Sequence, residues 1–203
     1  MDRYEVMQSV AASAKAGAGV TRVMPQAIDL CRQIESEARW DLYTEYDWRQ
    51  DAQHCRNWLA ELLLDDAPGS AITGFWFGIF NPMRQGRPRS DFYVTGSAHY
   101  PSVDWVFSQD WQPSGRYAHS PGQAALYRLA ESEGPNIVAI VDYVLTFAHA
   151  AATVNDLIVE IDSSRLLDGA ERRGIAVGHD SGDALFLGEL NSGGFDRSVS
   201  DWI

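Results

Sequence analysis

Apolar residues recur at helical spacing through the first third of the chain and change to strand spacing after Ala71. Ile28, Cys31, Ile34 and Ala38 stand three and four residues apart, with Pro25 suited to a first turn, and predict an amphipathic helix. A second helix is predicted from about Trp48 to Leu64, with Ala52, Cys55, Trp58, Leu59, Leu62 and Leu63 on its apolar face. The run Asp65 to Gly69 stops it. Upstream, the small residues Ala16 to Val20 read as a linker behind a loosely held N-terminal helix, so residues 1–20 are expected to stand apart from the body.

From Ala71 to Phe80 the chain is rich in aromatic and β-branched residues and too short for a typical helix, so a buried strand is predicted. Asp91 to Ala98 alternates as a second strand, and the turn-rich loop 81–90 makes the pair a hairpin. Val103 to Phe107 is expected to add a short third strand. Ser120-Pro121 offers an N-cap followed by proline at the first helical position, opening a helix that ends at Gly134. Pro135 starts the longest and most apolar helix, around 136–160. Its apolar residues cover more than one face, as in a central, largely buried helix. Gly174 to Gly178 and Ala184 to Gly188 flank a Gly/Asp turn as a C-terminal hairpin.

Helices, strands, helices and strands in that order predict an α+β fold. An antiparallel or mixed sheet should pack against a helical layer, in contrast to a doubly wound parallel sheet. With 203 residues, no internal repeat and no long linker, residues 1–203 are expected to form a single domain.

Charge narrows the choice of partner. With 28 acidic against 16 basic residues the chain carries a net charge of -12, which repels phosphate backbones and anionic membranes and suits a basic partner. The basic run Arg84, Arg87 and Arg89 reads as a solvated hairpin tip rather than a nucleic-acid contact. Cys31 and Cys55 make neither a disulfide framework nor a CxxC motif, and are expected as buried thiols. No basic, apolar leader is read at the N-terminus and no apolar run of membrane-spanning length, so the expected location is the cytoplasm.

The chain carries no P-loop, no H-E-x-x-H, no EF-hand ligand series and no G-x-S-x-G elbow, and no cofactor or metal motif. Two segments remain. In His179 to Asp183, the imidazole of His179 and the carboxylates of Asp180 and Asp183 have the chemistry of acid, base or metal ligand, and equally of a hydrogen-bonded turn. Between His99 and Ser120, Tyr100, Asp104, Trp105, Trp111, Arg116 and Tyr117 have the composition of a recognition surface, and equally of core under an irregular loop. Arg116 has the donors for a carboxylate or phosphate.

The run Val177-Gly-His-Asp-Ser-Gly-Asp-Ala-Leu-Phe-Leu-Gly188 resembles the strand-turn-strand signature of small bacterial immunity proteins of the SUKH kind. That resemblance covers about a dozen residues, and the helical N-terminal half has no counterpart in it. It implies a protein that neutralises a toxin by binding it. The leading expectation is therefore a non-catalytic, cytoplasmic immunity or inhibitor protein that presents acidic and aromatic surface to a basic protein partner. The alternative is a small metal-dependent hydrolase using His179, Asp180 and Asp183, joined by Asp156 or Glu160. A structural oligomer subunit is the third reading.

Overall fold

The computed structural model describes residues 1–84, 87–180 and 182–199. Helices α1 (Arg3–Lys15), α2 (Val20–Arg32), α3 (Trp40–Thr44) and α4 (Trp48–Asp65) come first, then strands β1 (Gly74–Phe80), β2 (Met83–Arg84), β3 (Arg87–Pro88) and β4 (Asp91–Ser97). A 3₁₀ turn at Trp105–Phe107 precedes α5 (Pro121–Glu131) and a continuous rod made of α6 (Pro135–Ile140), a π-helical turn (Val141–Leu145) and α7 (Thr146–Glu160). The chain then runs through α8 (Ser163–Leu167), β5 (Arg172–His179), β6 (Ala184–Asn191) and β7 (Gly194–Asp196).

The main sheet has the order β4-β1-β5-β6-β7. It is mixed: β1 and β5 run parallel, and every other neighbouring pair is antiparallel. One face carries Phe75, Phe77, Ile79, Phe92, Val94, Ile175, Val177 and Leu187 into the large core shared with the helices. The rod Pro135–Glu160 passes for a membrane span by length and composition, contrary to the sequence reading, but 78% of its apolar window is buried inside the fold. That burial explains why its apolar residues go all the way round.

The N-terminal helix is not loosely held. Asp2 and Glu5 form a reciprocal capping box, and Val6, Met7, Val10 and Ala14 are buried in the common core. The second helix starts five residues before Pro25, which lies inside it. Its first N–H groups are met from a distance: the Asp156 carboxylate on α7 accepts from Val20 N at 3.0 Å. A remote cap of this kind leaves no local signal in the sequence.

The second face of the sheet is built differently. Gly74, Trp76 and Gly78 of β1 stand in register with Gly174, Ala176 and Gly178 of β5. The glycines leave a trough for aromatic rings. A Cβ on Gly74 would lie 2.4 Å from the Trp105 ring, one on Gly174 2.5 Å from Tyr100, and one on Gly78 2.1 Å from Tyr93. Tyr100, Trp105 and Val106 lie in this trough with Trp76, Tyr93, Ala176 and Phe186. The predicted strand 103–107 is therefore replaced by a 3₁₀ turn, Trp105–Phe107, because Trp105 and Val106 bury against the sheet's face. The chain then follows the outer edge of β4, where Gly96 and Trp111 exchange backbone hydrogen bonds and Val94 N donates to Arg116 O. This covers an edge that would otherwise be open for pairing.

Candidate functional site

Parallel neighbours β1 and β5 end together at Phe80 and His179, the position outside which α/β sheets commonly hold ligands. His179 N donates to Asp183 O at 3.0 Å and closes the hairpin, with Gly182 at φ 116. Asp180 is exposed as a residue but turns one carboxylate oxygen inward, where it accepts the Tyr93 hydroxyl at 2.5 Å. Trp76 Nε1 donates in turn to the Tyr93 oxygen at 3.2 Å. Partial burial pushes the Asp180 carboxyl above its ordinary pKa, against the pull of the Tyr93 bond. Burial, reinforced by Asp180, pushes the Tyr93 phenol up as well.

His179 points to the helical face. Its ring lies between Tyr143 and Phe147, at centroid separations of 6.1 and 5.9 Å. Nε2 is 3.2 Å from Asp142 O and 3.2 Å from Thr146 Oγ1, whose hydroxyl is committed to Asp142 O at 2.6 Å. The geometry makes Nε2–H the donor and leaves Nδ1 buried without a partner. Burial lowers the His179 pKa, so the ring is neutral at physiological pH. Asp142 occupies the π turn, a device often found at functional sites. Its carboxylate accepts from Asn81 Nδ2 at 2.8 Å and from the Tyr127 hydroxyl.

Two cavities open here. One of about 280 Å³ lies between the sheet and the 3₁₀ turn, lined by Trp76, Tyr93, Phe107, Gln109 and Asp180. The other, about 350 Å³, is bounded by Phe80, Asn81, Asp142 and Tyr143. His179 and Asp180 line both.

Several expected site residues fall elsewhere. His179 and Asp180 serve opposite faces of the sheet, and the exposed Asp183 contributes its backbone to the hairpin, so the three do not converge. Ser181 lies outside the described residues. Asp156 caps α2, and Glu160 pairs with Arg56 at 3.6 Å on the far end of α7. Among the described residues no group of three His, Cys, Asp or Glu side chains is arranged to hold a metal ion. The hydrolase constellation is therefore not assembled.

The recognition stretch needs the same correction. Tyr100, Trp105 and Trp111 are buried: the first two cover the sheet's second face, and Trp111 packs into the core shared with the helices. Tyr100 stacks on Phe186 at 5.8 Å and donates to Glu189 at 3.0 Å, while Trp111 packs on Phe75 at 5.5 Å. Arg116 lies over the Tyr117 ring at 5.0 Å, both half-buried, and Asp104 is exposed at the start of the 3₁₀ turn. In the basic run, Arg89 is 3.8 Å from Glu131, and the side chains of Arg84 and Arg87 lie outside the described residues. Sequence reasoning overlooked Phe107, which is 66% exposed and lines the smaller cavity.

A second polar centre, fully enclosed, also went unread. The Asp51 carboxylate on α4 accepts from Ser120 Oγ at 2.8 Å, Gly122 N at 2.7 Å and His149 Nε2 at 2.8 Å. Gln123 Nε2 reaches His149 Nδ1 at 3.1 Å, which fixes the tautomer. The serine faces the carboxylate and not the imidazole, so this is no nucleophile–base pair; it ties α4, α5 and α7 together. Comparison of the chain with protein-family models, with curated proteins and with solved structures finds no match.

Proposed function

We propose that the chain is a non-catalytic binding protein of the immunity or inhibitor type, acting in the cytoplasm, which neutralises a basic protein partner through the Asp180 face of its sheet. The carrying observation is the juxtaposition of exposed Phe107 with an aromatic cavity that ends at a carboxylate. Apolar anchors beside a desolvated polar group are the usual composition of a protein-binding hot spot. The net charge of -12 supports a basic partner, and the buried, unpaired Cys31 and Cys55 suit a reducing compartment. The SUKH-like run Val177–Gly188 forms the hairpin that presents Asp180.

Capture of partners by the tagged protein at low and high salt tests this reading. A stoichiometric basic protein retained at low salt, released by high salt and lost with Phe107→Asp is expected. Recovery of the tagged protein alone at low salt refutes it. One observation favours a second reading: a carboxyl with a raised pKa is also what a general acid requires. Turnover of model ester or phosphodiester substrates that disappears in Asp180→Asn would establish that reading in its place.

A further inference from the structure

We propose that the smaller cavity is the seat of one arginine side chain of the partner, with the guanidinium held against the aromatic wall of Trp76, Tyr93 and Phe107 and paired with Asp180. This inference rests on the binding reading above and names the chemistry by which that face recognises its partner.

The hydrogen-bonding inventory points to a ligand that only donates. Trp76 Nε1–H is spent on the Tyr93 oxygen, and the Tyr93 hydroxyl is spent on Asp180 Oδ1. Among the described residues the second Asp180 oxygen has no hydrogen-bond partner, and His179, 6% exposed and lining the same cavity, has an unpaired Nδ1. With Nε2–H committed to Asp142 O, that Nδ1 can only accept, but it is enclosed on the helical face, so the acceptor left for a ligand is the Asp180 oxygen. What the site offers is therefore a free carboxylate oxygen, aromatic surface and the neutral amide of Gln109, and none of its lining residues is a lysine or arginine. An anion finds no cationic partner there. A guanidinium has five donors and no acceptor, stacks on aromatic rings and is weakly hydrated, so it loses less than an ammonium on entering such a site.

Size and access agree. A volume of about 280 Å³ lies just under the range of sites for drug-sized ligands and accommodates a single long side chain. Phe107 forms part of the wall and is exposed, so a partner surface covers it when its arginine enters. The upward push on the Asp180 carboxyl is consistent with a group that lacks its counter-charge in the free protein.

The test uses the whole chain and the acetylated, amidated pentapeptide Ala-Ala-Arg-Ala-Ala, followed through the indole N–H resonance of Trp76, which Trp76→Phe identifies by its disappearance. A saturable shift with a dissociation constant of about 1–10 mM is expected, the scale open to one anchored side chain. The citrulline analogue, the same shape without charge, is expected to give no shift. Asp180→Asn keeps the Tyr93 bond and is expected to weaken binding roughly tenfold, as loss of a charge-assisted pair implies. Phe107→Ala, at an exposed position that the fold does not need, is expected to weaken it as well. A citrulline peptide that binds equally, unchanged binding in Asp180→Asn, or no saturable shift overturns the inference. Partner capture separates this from the parent reading. A basic partner held equally well by Asp180→Asn removes the arginine seat and leaves the binding function standing. A peptide shift with no partner captured at any salt removes the protein-binding function and leaves the arginine seat.

Discussion

Replacing Asp51 with alanine removes the acceptor for three buried donors at once: Ser120 Oγ–H, Gly122 N–H and His149 Nε2–H. Each orphaned donor costs about 1–3 kcal/mol, so three cost roughly 3–9 kcal/mol, near the low end, about 4 kcal/mol, after local relaxation. For a domain of this length each kcal/mol moves the thermal midpoint by roughly 2–4 °C, which gives a drop of about 8–16 °C. Asp51→Asn preserves shape and one acceptor and should lose roughly half as much. The sign of the pH dependence follows from the carboxyl itself. Burial pushes its pKa up, but the bonds from His149, Gly122 N and Ser120 outweigh burial and hold it below its ordinary value. Its contribution is therefore complete above the unfolded-state pKa of about 3.9 and is lost as the pH falls through the lower folded-state value. Urea unfolding at pH 7 and pH 3 is the assay: the penalty of Asp51→Ala should be large at the first and shrink at the second. A loss under about 1 kcal/mol at pH 7, or an equal loss at both, would refute the account of Asp51 as the tie between α4, α5 and α7.

Three further outcomes are expected. Gly78→Ala places a methyl 2.1 Å from the Tyr93 ring, so it should cost about 1–3 kcal/mol in urea unfolding and disturb the Tyr93 aromatic resonances. Arg173 is fully buried and donates to the carbonyls of Ile72, Leu166, Leu167 and Gly69, with burial lowering its pKa to about 10. Arg173→Met leaves those carbonyls without it and should destabilise the fold by about 3 kcal/mol, read as a lower thermal midpoint with an unchanged denaturant slope. Asp180→Asn should raise the thermal midpoint at pH 7. A carboxyl whose folded pKa is raised contributes stability below its unfolded pKa and loses it as the pH rises through the folded value, so the gain should vanish near pH 3.5.

Elements whose signal is local were legible. The helix from Trp48, the Ser120-Pro121 cap and the apolar rod after Pro135 fall where periodicity and capping chemistry place them, and the strands predicted from Ala71 and Gly174 appear as Gly74–Phe80 and Arg172–His179. The misreadings share one cause, a partner distant in sequence. The beginning of α2 depends on Asp156, the packing of α1 on its place in the common core, and the 3₁₀ turn at Trp105 on a trough of paired glycines in β1 and β5. Gly74-x-Trp76-x-Gly78 and Gly174-x-Ala176-x-Gly178 do contain a signal, a period of two in small residues on one face. It becomes readable only once the two strands are known to be parallel and in register. Without the trough, Trp105 reads as surface chemistry, although it is the sheet's cover.

The same reasoning separates scaffold from site among the carboxylates. Asp51 has three donors, no access to solvent and a pKa held down, which is how a carboxylate that stabilises a fold is placed. Asp180 has one donor among the described residues, stands at the mouth of a cavity and has its pKa pushed up. The charged form of Asp51 is satisfied from within the protein; that of Asp180 is not, and folding alone gives no reason for an ionised group there. Groups that break a local rule at a stability cost concentrate where a protein meets something else. Asp180 and the exposed Phe107 break such a rule on the wall of one cavity, whereas the more numerous acids on the helices are solvated or paired. The two carboxylates thus differ in what satisfies them: Asp51 is answered from within the fold, and Asp180 keeps one oxygen without a partner among the described residues.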